Sequence, residues 1–133
     1  MAGRTPEETD RFVEETINGR DVERLLELFE PEALFVDPES GGELRGHGEI
    51  REGAAGMLES NPRIEGSGGK VFVAGDIALV LSNWVMETAG PDGEIVRQSG
   101  TATDVMRRQP DGTWRYVIDN PAGTALVAPL PEG

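Results

Sequence analysis

The sequence predicts an α+β domain in which three N-terminal helices pack on one face of a curved antiparallel sheet. Apolar residues recur at helical spacing over most of residues 5–60, whereas extended apolar runs separated by turn residues occupy 63–120. Helices followed by several strands are typical of the α+β class. The predicted order of elements is α-α-β-α-β-β-β-β. With 133 residues the chain fits one domain, 1–133, with frayed tails at 1–4 and 125–133.

The composition excludes several functional classes. The net charge of −13 disfavours nucleic acid and anionic membranes as partners, because no cluster of basic residues offsets it. The chain has no cysteine and one histidine, so we expect neither a metal site nor a cofactor. No apolar run approaches the roughly 18 residues that a membrane span needs. We therefore expect a cytoplasmic protein.

The first two helices have clear start signals. Thr5 is placed to cap a helix over residues 6–17, with Glu8 closing a capping box three residues later. Asp21 is placed to cap a second, short helix whose apolar side chains lie within residues 22–29. Both helices should direct their apolar side chains toward the sheet.

A short strand, Ala33–Val36, delivers a carboxylate at its end. Asp37 directly precedes Pro38, and a residue before proline is restricted to an extended conformation. A Gly-rich reversal follows, and a third helix is expected over residues 48–60. Asp37 is either a functional carboxylate held at the end of the strand or only the cap of a turn. His47, just before the third helix, is more typical of a turn residue than of a base.

The second half of the chain consists of four predicted strands. Turn signals of Gly, Pro and Asp separate them, since Pro presets φ, Asp caps the turn and Gly adopts positive φ. The strands are expected at residues 70–74, 77–88, 94–108 and 113–120.

The turns also predict which residues face each other, provided that no bulge intervenes. Four-residue loops at 90–93 and 110–113 place Asp104 opposite Leu79 on one side and Asp119 on the other. Directly opposed aspartates repel each other, and an apolar face removes them from water. Both effects raise a carboxyl pKa, so one of the two should stay protonated near neutral pH. Alternatively, both aspartates are solvated at the sheet rim and neutralised by an arginine.

Both faces of the sheet are apolar, so each must be covered. One face is expected to line a cavity under the helices and carries, besides the two aspartates, Phe72, Leu79, Leu81, Asn83, Val85, Ala102, Met106 and Val117. The other face carries Val80, Trp84, Met86, Val105, Trp114, Tyr116 and Ile118. We expect a second copy of the chain to cover this other face, giving a homodimer with Trp84, Trp114 and Tyr116 at the interface.

Two stretches of the chain, Thr103–Trp114 and Val117–Pro121, together with the Asp37–Pro38 strand end, resemble small proteins of the NTF2-like superfamily, of the ketosteroid isomerase-like and polyketide cyclase-like (SnoaL-like) type. The resemblance extends from about Thr5 to Pro121 and is to a subgroup of mostly uncharacterised members. It implies a cone-shaped, cystatin-like fold with a cavity between the helices and the concave sheet. It also implies a homodimer through the outer face of the sheet.

The resemblance assigns roles to two aspartates. Asp37 matches the general base of the isomerases, and Asp104 matches their protonated acid on the penultimate strand. Their third member, a tyrosine on the first helix, has no counterpart here, because the nearest positions are Phe12 and Val13. Loss of such a donor typically costs about 10²- to 10³-fold in rate. Asp119 is an addition to the family pattern.

Two hypotheses follow for the function. The first is a cofactor-independent proton-transfer enzyme, an isomerase, cyclase or lyase, acting on a small, largely apolar carbonyl or polyketide-like molecule with Asp37, Asp104 and Asp119 as its catalytic groups. The second is a non-catalytic module that binds a small molecule or dimerises. The substrate, and which of Asp104 and Asp119 holds the proton, are left open. Residues predicted to contact the ligand are Phe12, Phe72, Leu81, Asn83, Met106 and Val117.

Overall fold

The computed structural model describes residues 1–131, so the last two residues of the predicted tail, 132–133, lie outside the described residues. The helices are α1 (Pro6–Asn18), α2 (Val22–Leu26) and α3 (Gly46–Glu59). The strands are β1 (Phe29–Val36), β2 (Glu43–Arg45), β3 (Arg63–Ala74), β4 (Ile77–Ala89), β5 (Ile95–Arg108) and β6 (Trp114–Asp119). None of the described helices has the length and apolarity needed to span a bilayer.

The six strands form one sheet in the order β2-β1-β6-β5-β4-β3. All neighbouring pairs are antiparallel except β1 and β6, which run parallel. The predicted α+β class is confirmed, whereas the expectation of an all-antiparallel sheet is wrong. The short strand β2, within the predicted Gly-rich reversal, was also not expected from the sequence.

The helix caps agree with the sequence signals. The Thr5 hydroxyl accepts a hydrogen bond from Glu8 N–H at 3.1 Å, and the Asp21 carboxylate accepts one from Arg24 N–H at 3.1 Å. The second helix is shorter than predicted, because the chain enters strand β1 at Phe29.

The N-terminus is part of the fold. Gly3 forms a β-bridge with Trp114, and its N–H donates to Thr9 Oγ1 at 2.9 Å. Ala2 is buried in the core. The prediction that residues 1–4 fray is therefore wrong for Ala2 and Gly3.

The loop between β4 and β5 is one residue longer than predicted. It closes with a hydrogen bond of 2.7 Å from Gly90 N–H to the Glu94 carbonyl oxygen. As a result Val80, instead of Leu79, lies opposite Asp104. A slip of one residue moves every side chain of a strand to the other face, so the predicted pairing of Leu79 with Asp104 is wrong.

The pairing of β5 with β6 departs from the prediction by one residue near the turn, and a bulge then shifts it back. Near the turn Met106 pairs with Tyr116, not with Val117, but a bulge at Val117 then shifts the register so that Val105 pairs with Ile118. Asp104 therefore comes to lie beside Asp119, and the two carboxyl groups are hydrogen-bonded. This predicted juxtaposition is confirmed, although the pairing between the turn and Val117 differs from the predicted one by one residue.

Strand β4 and the part of β6 before the bulge consequently present faces opposite to those predicted, whereas Ala102, Asp104 and Asp119 line the cavity as predicted. Tyr116 and Trp114 are buried in the core under the helices, and Trp84 lines the cavity. Their assignment to the outer face is wrong. Phe72 and Leu79, expected in the cavity, lie on the outer face with 53% and 42% of their surface exposed.

Candidate active site

A cavity of about 870 Å³ lies between the helices and the inner face of the sheet. Helices α1 and α3 supply one wall, and strands β1, β4, β5 and β6 supply the other. Apolar side chains dominate its surface and include Ile17, Phe29, Phe35, Ile50, Met57 and Val80. A mostly apolar cleft of this size with a few converging polar groups is the usual form of a small-molecule site.

Asp104 and Asp119 form a pair on the floor of the cavity. Asp104 projects from β5 and is 2% exposed, and Asp119 projects from the end of β6 and is 9% exposed. The Asn120 N–H donates to Asp104 Oδ1 at 2.8 Å. One oxygen of Asp104 is thus held by the backbone, while its carboxyl group is hydrogen-bonded to Asp119.

The pKa values of both floor carboxyls are raised. Burial raises the pKa of Asp104 well above its usual range, the Asp119 charge and hydrogen bond raise it further, and the Asn120 amide opposes the shift. Burial raises the pKa of Asp119 to about 7, although the hydrogen bond from Asp104 lowers it. Asp104 therefore keeps its proton at neutral pH and donates a hydrogen bond to Asp119. Asp119 itself can gain or lose a proton near that pH.

A second polar pair joins α1 to β6. The Tyr116 hydroxyl donates to Asp10 Oδ1 at 2.7 Å. Burial raises the pKa of Asp10, and the hydroxyls of Tyr116 and Ser82 lower it in part. Burial and the nearby charges of Asp10, Asp104 and Asp119 raise the pKa of Tyr116 well above its usual value. Tyr116 is therefore a phenol donor in the cavity at every physiological pH.

Asp37 lies at the cavity mouth and closes a turn. Its Oδ1 accepts the Glu39 N–H at 2.9 Å, and its Oδ2 accepts the Ser40 hydroxyl at 3.1 Å. Its backbone pairs with Gly41 and Gly42 at 2.8 Å each. Both carboxylate oxygens are thus engaged in an Asx-type turn. A role for Asp37 as a base stays a prediction.

Five predicted ligand contacts, Phe12, Phe72, Leu81, Met106 and Val117, do not line the cavity. Met106 is fully buried in the core, and the Phe12 ring packs beneath the Arg24 guanidinium at 5.3 Å. The remaining residues were misplaced by the register slip or the bulge. Asn83 touches the cavity edge, but its Oδ1 accepts a hydrogen bond from the Thr101 hydroxyl at 2.6 Å.

His47 has a structural contact instead of a place in the cavity. Its Nε2 lies 2.9 Å from the carbonyl oxygen of Phe29, which links the start of α3 to the start of β1. Trp84 does line the cavity, and its indole N–H donates to the Pro121 carbonyl oxygen at 2.8 Å. This contact holds the segment after β6 against the cavity wall.

Sequence reasoning missed Asp10 and Tyr116. A signal for Asp10 was present, because it lies three residues before Val13 and seven before Ile17, on the same inward stripe of α1. A carboxylate on an apolar stripe is unusual and marks a candidate site. Tyr116 could not be recognised, because its face depends on the register of β6.

The arrangement offers proton transfer without a metal. Within residues 1–131 no cluster of three or more His, Asp or Glu side chains is placed to hold a metal ion. Asp119 can exchange a proton near pH 7, Asp104 stays neutral, and the Tyr116 phenol can donate a hydrogen bond. These are the parts required for general acid–base catalysis on a carbonyl compound.

The model of the SnoaL-like domain matches residues 9–117, which is most of the chain. No curated protein matches the chain. The family thus matches the one whose motifs the sequence resembles.

Solved structures with the same fold support this match. An NTF2-like protein from Streptomyces avermitilis, provisionally described as a dehydratase, is 24% identical, covers 84% of this chain and 88% of its own, and has a TM-score of 0.73. An NTF2-like superfamily protein from Salmonella enterica is 22% identical and covers 91% of each chain, with a TM-score of 0.73. A Mycobacterium tuberculosis protein of unknown function is 28% identical over 80% of this chain and 62% of its own, with a TM-score of 0.70. The predicted cone-shaped, cystatin-like fold is confirmed.

Proposed function

This chain belongs to the SnoaL-like family of the NTF2-like superfamily, and from that premise we propose that it is a cofactor-independent enzyme that transfers a proton on a small, largely apolar carbonyl or polyketide-like substrate. The observation that carries the proposal is the Asp104–Asp119 pair on the floor of an apolar cavity. A base with a pKa near the working pH is the most effective proton acceptor. Asp119, with a pKa of about 7, meets that condition.

In the proposed reaction the Asp119 carboxylate takes a proton from the carbon next to the substrate carbonyl. The electron pair of that C–H bond forms a C=C bond, and the carbonyl electrons move to oxygen. The Tyr116 phenol, whose single O–H is directed at Asp10 in the free protein, turns from Asp10 and donates its hydrogen bond to this enolate oxygen. Asp119 then returns the proton to another carbon of the conjugated system, so the product is an isomer and nothing else is consumed.

Two further residues act through these catalytic residues. Asp104 is a positioning residue that holds Asp119 by a hydrogen bond and is itself held by the Asn120 amide. Asp10 is a positioning residue that holds the Tyr116 hydroxyl by a hydrogen bond in the free cavity and releases it when the substrate oxygen takes its place. Tyr116 supplies, from the last strand, the donor that the sequence lacks on the first helix.

A β,γ-unsaturated bicyclic ketone tests the proposal, since its isomerisation to the conjugated enone is followed by ultraviolet absorbance. Asp119→Asn removes the base and should lower kcat by about 10²- to 10⁴-fold. Asp37→Asn makes the same chemical change at the cavity mouth and should leave kcat close to the wild-type value. If Asp37→Asn lowers kcat and Asp119→Asn does not, Asp37 is the base and the assignment to Asp119 is wrong.

The satisfied hydrogen bonds of the cavity favour a second candidate, a non-catalytic small-molecule-binding module. Asp37 holds a turn, Tyr116 already donates to Asp10, and Asp104 is engaged by Asn120. If the wild type binds the ketone in a calorimetric titration but does not isomerise it, this second candidate is the better description. Turnover that depends on Asp119 would exclude it.

We also propose that the chain forms a homodimer through the outer face of the sheet. Phe72, Ile77 and Leu79 share that face and are 53%, 40% and 42% exposed. An exposed apolar patch of this kind on a sheet is typical of an association surface. The proposed interface thus uses the residues that the register places outside, instead of Trp84, Trp114 and Tyr116.

A further inference from the structure

The cavity carries negative charge from its floor to its mouth. Among the described residues, eight acidic side chains line it, whereas Arg11 is the one basic side chain that does. The whole chain has a net charge of −13, so the surroundings do not offset this excess. Three of the acidic residues line the cavity near solvent and are called here the acidic rim: Glu7, Glu14 and Glu39.

The acidic rim has no cationic partners among residues 1–131. Glu39 accepts a hydrogen bond of 2.5 Å from the Gln98 amide, and Glu14 accepts one of 3.3 Å from a backbone N–H. Both partners are uncharged, so the charge of each carboxylate remains. Glu43 also lines the cavity, but unlike the acidic rim it has a cationic partner, Arg45, at 2.5 Å. Glu43 is therefore not counted in the acidic rim.

Arg11 compensates little of this charge. Its guanidinium lies 4.0 Å from the Glu8 carboxylate, and its side chain is 63% exposed. A long ion pair between exposed groups is weak and is screened by salt. An anionic ligand entering the cavity would therefore meet one exposed guanidinium against the three carboxylates of the acidic rim.

The floor adds a second barrier to anions. Asp10 and Asp119 lie in a largely apolar environment, and each has hydrogen-bond partners that are hydroxyl or carboxyl groups, not cations. Charges repel more strongly where water is excluded. A ligand carboxylate close to these residues would be repelled, or would have to take up a proton.

We propose that the cavity selects its ligand by charge: it admits uncharged and cationic molecules and excludes carboxylates and phosphates of the same shape. The inference rests on the proposed function only in taking the cavity as the ligand site. It requires binding and no turnover. The acidic rim sets the barrier at the mouth, and the floor carboxyls set the barrier inside.

Three naphthalene probes that differ in one substituent test the charge selection. These are 1-naphthalenemethanol, 1-naphthylmethylamine and 1-naphthoate, titrated by calorimetry into the full chain at pH 8 and low ionic strength. The carboxylate should bind at least about tenfold more weakly than the alcohol, because like charges brought together at a binding site repel each other. The amine should bind at least as tightly as the alcohol.

Matched charge variants locate the effect. The triple variant Glu7→Gln, Glu14→Gln, Glu39→Gln should reduce the ratio of the carboxylate's dissociation constant to that of the alcohol by at least about threefold. The control triple variant Glu52→Gln, Glu59→Gln, Glu87→Gln changes the net charge equally at exposed positions that do not line the cavity. It should leave the ratio unchanged. Added salt should narrow the ratio only in part, because it screens the exposed rim more than the buried floor.

Equal binding of the carboxylate and the alcohol by the wild type would overturn the proposal. So would an equal effect of the two triple variants, or a failure of all three probes to bind. The proposed function fails by a different result, the absence of Asp119-dependent isomerisation. If the three probes bind in the expected order but the ketone is not isomerised, the proposed enzymatic function is wrong and the proposed charge selection stands.

Discussion

The two faces of the sheet are both rich in apolar residues, but the inner face buries polar groups whereas the outer face exposes apolar ones. The inner face buries Asp104 and Tyr116 beside Val80, each no more than 2% exposed. The outer face leaves Phe72 and Leu79 largely in contact with water. Polar groups are thus buried where a ligand can use them, and apolar groups are exposed where a second chain can cover them.

This difference has opposite energetic consequences. Burying an ionised carboxylate without a cation is unfavourable, and the raised pKa values of Asp10, Asp104 and Asp119 express that cost. The exposed apolar residues of the outer face cost stability only while the chain is alone in water. The inner face therefore tolerates an unfavourable burial of carboxyl groups, and the proposed dimer would remove the unfavourable exposure on the outer face.

The largest predicted effect compares two neighbouring residues on β4. Val80→Asp places an unpaired carboxylate in the core, where Val80 is 1% exposed, and should lower stability by more than about 3 kcal/mol or prevent folding. Leu79→Asp adds the same charge to the outer face, where Leu79 is 42% exposed. It should leave the melting temperature of the monomer close to that of the wild type.

Thermal unfolding and sedimentation equilibrium together measure both outcomes. The wild type should sediment as a dimer at micromolar concentration, and Leu79→Asp should sediment as a monomer. If Val80→Asp folds and Leu79→Asp does not, then Leu79 faces the core and Val80 faces outward, as the turn lengths predicted and contrary to the structure. If the wild type sediments as a monomer, the proposed dimer is wrong, but the assignment of the two faces is unaffected.

Local signals predicted the local structure well. Thr5 and Asp21 cap the first two helices as expected, since capping depends on side-chain and backbone groups a few residues apart. The strands after Ile77 also begin and end within a residue or two of the prediction. By contrast, the parallel pairing of β1 with β6 is a long-range contact that no local pattern contains.

The candidate site was harder to predict, because it depends on register. One extra residue in the loop before Ile95 moved Leu81 out of the cavity, left Asn83 at its edge and brought Ser82 in. A bulge at Val117 then restored the predicted register, and with it the Asp104–Asp119 contact. Loop length and bulges are set by backbone geometry, and composition does not reveal them.

A second prediction concerns the pH dependence of stability. The inner-face aspartates have pKa values raised above the unfolded value of about 4, so their favourable contribution is complete below that pH. It is lost as the pH rises through the folded values, which for Asp119 is about 7. The melting temperature should therefore fall by several degrees between pH 5 and pH 8.

Substitutions on the two faces separate this effect from general charge repulsion. Asp119→Asn removes one titrating group from the cavity and should flatten the fall in melting temperature. Glu87→Gln removes a charge at an exposed position and should leave the slope as in the wild type. Identical slopes for all three proteins would show that the buried aspartates are not the cause.

The smallest predicted effect on stability is that of Asp104→Asn, which keeps the shape of the floor. The amide oxygen can accept the Asn120 N–H, now 2.8 Å from Asp104 Oδ1, and the amide nitrogen can donate to Asp119. Since the side chain is neutral at every pH, the melting temperature at pH 8 should equal or slightly exceed that of the wild type. Asp104→Leu is likewise uncharged but leaves the Asn120 N–H without its partner, and should be less stable than Asp104→Asn by about 1 kcal/mol or more.

The same pair of variants tests whether Asp104 acts through Asp119. Asp104→Asn retains a hydrogen-bond donor to the base, so kcat/KM should still rise with pH as Asp119 ionises, with the acid limb at or below pH 7. Asp104→Leu removes that donor, which lowers the pKa of Asp119 in the wild type, and should move the acid limb to higher pH. The comparison requires only the shape of the pH profile, which a purely structural role of Asp104 would not alter. Coincident profiles for both variants and the wild type would show that Asp104 supports the floor without tuning the base.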